Sequence, residues 1–306
     1  MSLIGFFKGT GPNGFGHNSS AEDVTSGLDL SGKTYLLTGC NSGIGQETAR
    51  VLGLRGARVI GAARTLEKAT AACADFGPEA VPVACELSDP SSVRAAVQTV
   101  RDLGHPLDGI LCNAGIMALP KRELQHGYEA QFFTNHVGHF ILVTGLLDQL
   151  TPEGRVVMTS SSAHTGSYSG GIRFDDLGAD NGYSAWGAYG QSKLANVLFA
   201  THLATKLKPG QTANAIHPGV IVTNLGRHMN IVARTLFPLF SPIFLKSVPQ
   251  GAATQTLVAT HPSAASQTGL YWADCNPTKS SAHGRDAVMA ETLWTKTEAI
   301  VAGLEA

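Results

Sequence analysis

In the stretch "WGAYGQSKLAN", residues 186–196, a phenol stands four residues ahead of an ammonium: Tyr189 and Lys193. Residues four apart share one face of a helix, so a proton-exchanging group and a cation could work on the same small object. Of the six tyrosines, only Tyr189 has lysine at the fourth position after it. A solvated surface pair is the ordinary meaning of this spacing. The pair gains chemical weight only if other parts of the chain converge on it.

A second candidate lies far upstream, in "TGCNSGIG", Thr38 to Gly45. Glycines permit a tight turn, close approach of backbone to a pyrophosphate, and close packing of the following helix, whose N-terminus offers free N–H groups to the phosphates. The spacing is G-x-x-x-G-x-G, and the turn sits between a strand-like and a helix-like segment. Gly39, Asn41, Ser42, Gly43, Ile44 and Gly45 are therefore expected to hold a dinucleotide. A ribose 2′-OH site wants Asp or Glu about 20 residues on. Here the second strand ends "GAAR", with Ala62 and Ala63 in that place and then Arg64. The carboxylate that would repel a 2′-phosphate is missing and a guanidinium able to hold one is present, which favours NADP(H) over NAD. The competing reading of Arg64 is a solvated residue opening the next helix.

The elements that must position these groups follow a regular alternation. Strand candidates "KTYLLTG", "ARVIGAAR", "AVPVACEL", "LDGILCNAG", "GRVVMTSS" and "TANAIHPG" are separated by helical segments, including a long helix expected over 123–150 and another over about 186–207. Short apolar strands alternating with helices predict a parallel sheet covered on both faces. The expected architecture is a single α/β domain, doubly wound and Rossmann-type, over residues 31–306. Residues 1–30, rich in Gly, Ser and Asn, read as an irregular arm. Residues 224–248 break the alternation as an apolar insertion.

Bulk properties exclude several classes. A formal net charge of -1 without a long basic run argues against a nucleic-acid partner. The five cysteines (40, 73, 85, 112 and 275) form no CxxC pair and no zinc spacing with histidine, so no metal is expected and reduced thiols in the cytoplasm are. No apolar run reaches the roughly 18 residues of a membrane span, and no secretory leader is evident.

With these pieces assembled, the chain resembles the short-chain dehydrogenase/reductase family over roughly residues 31–300. The motifs match in order: "TGCNSGIG", "LCNAG", "NHVGHF", "MTSSSAH", "YGQSK" and "HPGVIVT". Within the family, "GARVIGAAR", "NHVGHF", "SKLAN" and "ETLW" look most like the retinol-dehydrogenase-like branch, and the N-terminal segment is similar to plant chloroplast members and their bacterial relatives.

The resemblance implies roles. Tyr189 would be the acid/base that protonates the carbonyl oxygen as hydride moves from the nicotinamide, and would accept the alcohol proton in reverse. A free phenol titrates near 10, and a nearby ammonium favours the phenolate, so Lys193 would tune Tyr189 and hold the nicotinamide ribose. Ser161 would polarise the substrate carbonyl, with Ser160 as runner-up. Asn135 would hold a water in a proton relay, while His136 and His139 read as satisfied helix histidines. Asn113, Ala114 and Gly115 would pass under the adenosine ribose. Glu86 stands where the family usually has Asp beside the adenine, with Leu87 contributing backbone. In "HPGVIVT", Pro218, Gly219, Val220 and Thr223 would contact the carboxamide.

The insertion, with Leu225, Met229, Leu236, Phe237, Phe240 and Phe244, is expected to form a substrate lid, the other readings being ordinary core packing and shallow contact with a membrane, and Tyr168, Tyr183 and Trp186 could touch substrate or simply pack their loop. The expected activity is NADP(H)-dependent interconversion of a carbonyl and an alcohol on a bulky apolar compound. The alternative is an NADPH-responsive regulatory or binding subunit with little turnover. The family's habit implies a homodimer or homotetramer through the helices around 123–150 and 186–207.

Overall fold

A computed structural model of the chain describes residues 9–221 and 245–304. The expected lid residues 224–244 and Thr223 lie outside the described residues. Eight strands, β1 (Thr34–Thr38), β2 (Arg58–Ala63), β3 (Val81–Ala84), β4 (Leu107–Cys112), β5 (Leu150–Thr159), β6 (Thr212–His217), β7 (Tyr271–Ala273) and β8 (Asn276–Thr278), form one sheet in the order β8-β7-β6-β5-β4-β1-β2-β3. All neighbours pair in parallel except the β7–β8 hairpin at the edge. The continuous apolar run of β1 is buried along its whole length, as a strand covered on both faces must be.

The helices are α1 (Gly43–Leu54), α2 (Leu66–Cys73), α3 (Pro90–Asp102), α4, α5 (Ala185–Leu203), α6 (Val248–Thr260) and α7 (Ala287–Gly303). α4 consists of Ala130–Phe132, a π-helical turn Phe133–Val137 and Gly138–Thr144. Local sequence starts most of them: Thr65, Asp89, Ser184 and Asp286 each accept a first-turn N–H, and Ser247 forms a capping box with Gln250. One apolar core fills the space between the sheet and α3, α4, α5 and α7. A second lies on the other face, under α1, α2 and α6. The chain is thus doubly wound, and the strand order reverses between β1 and β4, which opens a crevice at the C-terminal ends of the strands.

Three details differ from the sequence reading. The helix expected from 123 starts at Ala130, because Leu124–Gln125 and Tyr128–Glu129 pair as a small hairpin. Its two-residue turn, His126 and Gly127, has φ of 51° and 86°, the positive pair that a tight hairpin turn requires. The described part of the N-terminal arm is packed on the domain. Its helical turn Ala21–Val24 is capped by Ser20, and Arg55 of the α1 C-terminus donates to Thr25 Oγ1 and the Glu22 carbonyl at 3.1 Å each. Finally, α7 covers α4 and α5. Trp294 stacks on Phe199 (5.6 Å between centroids, 10° between planes) and meets Phe140 edge-on at 4.9 Å.

Candidate active site

The crevice gathers side chains from four segments. α5 carries Tyr189 and Lys193 on one face, both buried. The end of β5 leads into a tight 3-10 turn, Ser162–Gly166, headed by Ser161, whose hydroxyl accepts the Ala163 N–H at 3.2 Å. α4 brings Asn135 within its π-helical turn. The segment after β4 brings Gly115, against which all of this closes: a Cβ there would lie 3.0 Å from Asn135 Oδ1 and 3.4 Å from Lys193 Nζ.

Asn135 is held by three bonds. Its Oδ1 accepts the Ile116 N–H at 2.8 Å, and its Nδ2 donates to the Ile116 carbonyl and to Ser192 Oγ at 2.9 Å each. The side chain thereby stitches the post-β4 loop to α4 and α5.

The two serines separate by their partners. Ser160 is buried and donates to the Lys193 carbonyl at 2.7 Å, so its hydroxyl is engaged in fixing α5 to β5. Ser161 stands beside Tyr189 and acts on its phenol, favouring the phenolate. Gly190 makes this approach possible, since a Cβ there would fall 2.7 Å from the Ala163 carbonyl and 2.9 Å from that of Gly166. The sequence reading passed over this glycine.

The electrostatics differ from the sequence expectation. Burial pushes the Tyr189 phenol up to about 12, with Ser161 working in the opposite direction. Lys193 is itself lowered to about 8 by burial. Its ammonium lies over the Tyr189 ring and is aimed at the Thr159 carbonyl, so loss of water outweighs its attraction for a phenolate.

His139 is a satisfied helix histidine, as the sequence reading had it. Its Nδ1 lies 2.9 Å from the Asn135 carbonyl and its Nε2 lies 2.9 Å from Thr38 Oγ1. Burial lowers it to about 4, so the ring is neutral and donates from Nδ1 to Asn135. Thr38 Oγ1 in turn accepts the N–H groups of Asn113 and Ala114 at 3.0 Å each. This chain of bonds ties the end of β1 to the Asn135 turn of α4.

The glycine-rich turn has the shape of a phosphate cradle. Gly39 and Gly43 have φ of 71° and 57°, which side chains rarely adopt. A Cβ at Gly45 would fall 2.2 Å from the Gly39 carbonyl, so only glycine lets α1 pack this close. Asn41 and Ser42 are exposed, and Ser42 heads α1 without a side-chain bond to its first turn. Those N–H groups remain available to an anion. Ile44 packs with Ile221 and Ala252, joining the turn to the segment after β6.

Around the cradle, Asn113 Nδ2 donates to the Thr38 carbonyl at 2.9 Å. Arg64 is exposed directly after β2, ahead of the Thr65 cap of α2. Glu86 accepts from Ser88 N and Oγ at 3.2 and 2.9 Å, so its carboxylate is already engaged in the turn before α3. Leu87 is buried, with its carbonyl against Gly138. Pro218, Gly219 and Val220 follow β6 on the same side of the sheet. Of the three loop aromatics, Tyr183 donates to the Leu119 carbonyl at 2.7 Å and Tyr168 lies under the Arg173 guanidinium. Trp186 is different: it is 51% exposed and meets Tyr189 edge-on at 6.1 Å.

Among the described residues, no helix is long and apolar enough to cross a membrane. The five cysteines are free and buried.

Residues 33–174 match the family model described as short chain dehydrogenase. The chain is 42% identical to a Brassica napus protein named Short-chain dehydrogenase TIC 32 A, chloroplastic, over 96% of this chain and 97% of that one. It is 38% identical to mouse Retinol dehydrogenase 12, over 88% of this chain and 86% of the relative. Among solved structures, it is similar to an uncharacterized protein from Mycobacterium Paratuberculosis (TM-score 0.72, 33% identity, covering 91% of this chain and 96% of that one). A short chain dehydrogenase from Burkholderia cenocepacia J2315 in complex with NADP has a TM-score of 0.65 at 26% identity, covering 80% and 97% of the two chains.

Proposed function

The chain belongs to the short-chain dehydrogenase/reductase family, and from that premise we propose that it is an NADP(H)-dependent carbonyl reductase and alcohol dehydrogenase acting on a bulky apolar compound. The observation that carries this reading is the convergence of Asn135, Lys193 and Gly115 beside Tyr189, whose phenol feels Ser161.

The glycine-rich turn fits a dinucleotide pyrophosphate by its crowded Gly45 and its uncapped helix start. Gly39, Asn41, Ser42, Gly43, Ile44 and Gly45 would hold the phosphates. Asn113, Ala114, Gly115, Glu86 and Leu87 would flank the adenosine, and Pro218, Gly219, Val220 and Thr223 the carboxamide. Arg64 would hold a 2′-phosphate, a charge-assisted contact with no carboxylate at Ala62 or Ala63 to oppose it. The NADP complex of the Burkholderia relative supports this choice. When bound, the nicotinamide supplies or accepts the hydride.

The chain's own residues handle the proton. Ser161 would orient the substrate oxygen beside Tyr189. Tyr189, kept protonated by burial, is ready to donate to that oxygen in the reductive direction. Lys193 would bring positive charge beneath the cofactor ribose and favour the phenolate left behind. Asn135, locked in place by three bonds, would keep Lys193 connected to solvent through a water. Trp186 offers an apolar wall at the mouth, and the name of the retinol dehydrogenase relative supports an apolar alcohol or aldehyde.

The test is NADPH oxidation followed at 340 nm across a panel of apolar aldehydes and ketones, with NADH in parallel. Turnover with NADPH on at least one compound supports the reading. Tight NADPH binding without turnover on a broad panel overturns it in favour of an NADPH-responsive binding subunit.

The cytoplasmic assignment rests on the free thiols, whereas the two Brassica napus relatives are named chloroplastic. Assembly as a homodimer or homotetramer would use surface of α4 and α5 outside the Phe140 and Phe199 region, which Trp294 covers.

A further inference from the structure

The turn of the β7–β8 hairpin is built from unfavourable residues. Asp274 and Cys275 have φ of 50° and 63°. A two-residue turn of this type asks for glycine at its second position, and a buried cysteine stands there instead. Backbone held in the left-handed region by non-glycine residues persists only where surrounding contacts over-determine it. The contacts here point in two directions at once.

One set reaches the nicotinamide end of the crevice. Asp274 Oδ1 lies 2.7 Å from Lys246 Nζ, and the Lys246 side chain is 1% exposed. A buried ammonium needs such a partner. The Lys246 stem runs beneath Gly219: a Cβ there would fall 2.6 Å from its Cδ, and Gly219 has a φ of 97°. The Lys246 N–H donates to the Val220 carbonyl at 2.9 Å, and Lys246 bridges Ile221 in parallel. Lys246 is therefore the backing on which Gly219 and Val220 rest.

The other set reaches the N-terminal arm. His17 Nδ1 lies 3.2 Å from Asp274 Oδ1. Asn13 Nδ2 donates to the Cys275 carbonyl at 2.7 Å, and Asn276 Nδ2 donates to the Phe15 carbonyl at 2.9 Å. Gly11 is pressed against the Asn276 side chain, where no Cβ would fit. Cys275 N–H donates to Thr254 Oγ1 at 3.1 Å, fixing the turn to α6 as well.

We propose that the N-terminal arm is a working part of the cofactor site: His17, through Asp274 and Lys246, positions the Gly219–Val220 turn against the nicotinamide half of NADP(H). This rests on the NADP(H) reading above. His17, Asp274 and Lys246 are positioning residues, acting through the backbone of Gly219 and Val220. The arm also packs on α1, where Ala21 meets Ile44 and Val51, but the His17–Asp274–Lys246 chain leads to the Gly219–Val220 turn, so changes in these three residues should spare the adenosine half, which the β1–α1 turn and the end of β2 would hold.

The experiment separates the two halves with two probes, NADPH and adenosine 2′,5′-bisphosphate, which lacks the nicotinamide. Binding of each is measured by calorimetry to the wild-type chain and to Lys246→Met, Lys246→Arg, Asp274→Asn and His17→Gln, with thermal unfolding to verify that each variant is folded. The expected result is a tenfold or greater loss of NADPH affinity in Lys246→Met and Asp274→Asn. A smaller loss is expected in His17→Gln and partial recovery in Lys246→Arg, while bisphosphate affinity stays within twofold throughout. Unchanged NADPH affinity in all folded variants overturns the proposal, as does an equal loss for both probes. Should Lys246→Met fail to fold, Asp274→Asn and His17→Gln carry the test. A wild-type chain that binds neither probe removes the NADP(H) reading and this proposal together, whereas bisphosphate binding that survives a changed NADPH affinity separates the two.

Discussion

Lys193 Nζ lies 5.7 Å from the centre of the Tyr189 ring and donates to the Thr159 carbonyl at 3.0 Å. The ammonium thus sits over the phenol ring while its hydrogen bond is spent on the end of β5. The arrangement holds both side chains still and leaves the phenol protonated.

Removing the phenol hydroxyl tests the chemistry. Tyr189→Phe should lower carbonyl reduction by about 10²- to 10⁴-fold, the usual worth of a positioned acid or base. NADPH affinity should hold within a few fold in the same preparation. Retained turnover would mean that the proton comes from elsewhere.

The buried ammonium carries a stability signature. Lys193 titrates at about 8 in the folded chain, below its ordinary 10.5. Below pH 8 both states are charged and the folded one bears the burial cost. Between pH 8 and 10.5 the unfolded state holds more protons, so this residue makes stability rise with pH across that window. Lys193→Met removes the effect, and the Thr159 carbonyl keeps the Asn196 Nδ2 bond at 3.1 Å. Melting curves should show the variant more stable than wild type by a few degrees at pH 7, with the gap closing toward pH 10. A gap independent of pH would contradict the assignment.

Cofactor choice should depend on Arg64. A charge-assisted contact to the 2′-phosphate is worth roughly 1.5–3 kcal/mol, so Arg64→Leu should weaken NADPH about 10- to 150-fold and leave NADH affinity unchanged. Fluorescence titration of both nucleotides measures the ratio directly. An unchanged ratio would make Arg64 a solvated helix-opening residue.

Gly190 gives a steric test of the serine's position. Gly190→Ala places a methyl against the backbone of the Ser162–Gly166 turn and should push Ser161 away from Tyr189. Turnover should fall while NADPH binding is retained, because the phosphate cradle is on other elements. Full activity in a folded variant would show that the serine turn can shift without consequence.

His139 should behave as a clamp. His139→Ala leaves the Asn135 carbonyl and the Thr38 hydroxyl without their partner, a cost of roughly 2–4 kcal/mol for two buried polar groups. Urea unfolding should report that loss, and turnover at saturating substrate should fall further than the folded fraction alone explains. A variant within 1 kcal/mol of wild type, by the same order-of-magnitude scale, would leave His139 without this part.

How far the sequence reaches is plain from particular residues. The strands from β1 to β6 were legible because they are written as short apolar runs, fully buried in β1 and only partly so in the edge strand β3, and the cradle was legible because glycine is the only residue its crowding permits. The spacing of Tyr189 and Lys193 gave their shared face directly. The preference of Ser161 over Ser160 followed from resemblance, and becomes physical only when Ser160 is seen bonded to the Lys193 carbonyl. Lys246 was not legible as part of the site at all. Its role depends on Asp274, 28 positions later, and on His17 at the other end of the chain, and long-range pairs of that kind leave no period in the sequence. The shift of Tyr189 toward higher pKa was missed for a related reason: spacing reveals which charges are near, but burial is a property of the whole fold.

The helix α7 has a consequence for how the protein is made. Every motif residue from Thr38 to Val220 leaves the ribosome before Ala287–Gly303 exists. Until that last stretch emerges, Phe140 and Phe199 have no Trp294 to lie against, and the helix bearing Tyr189 and Lys193 is bare on its outer side. A nascent chain stopped by a premature codon at residue 287 would keep the motif residues from Thr38 to Val220, lose "ETLW" with the rest of α7, and present an open aromatic face to chaperones and proteases. Loss of the protein from such an allele would come through its degradation, with Tyr189, Lys193 and the glycine-rich turn all still encoded.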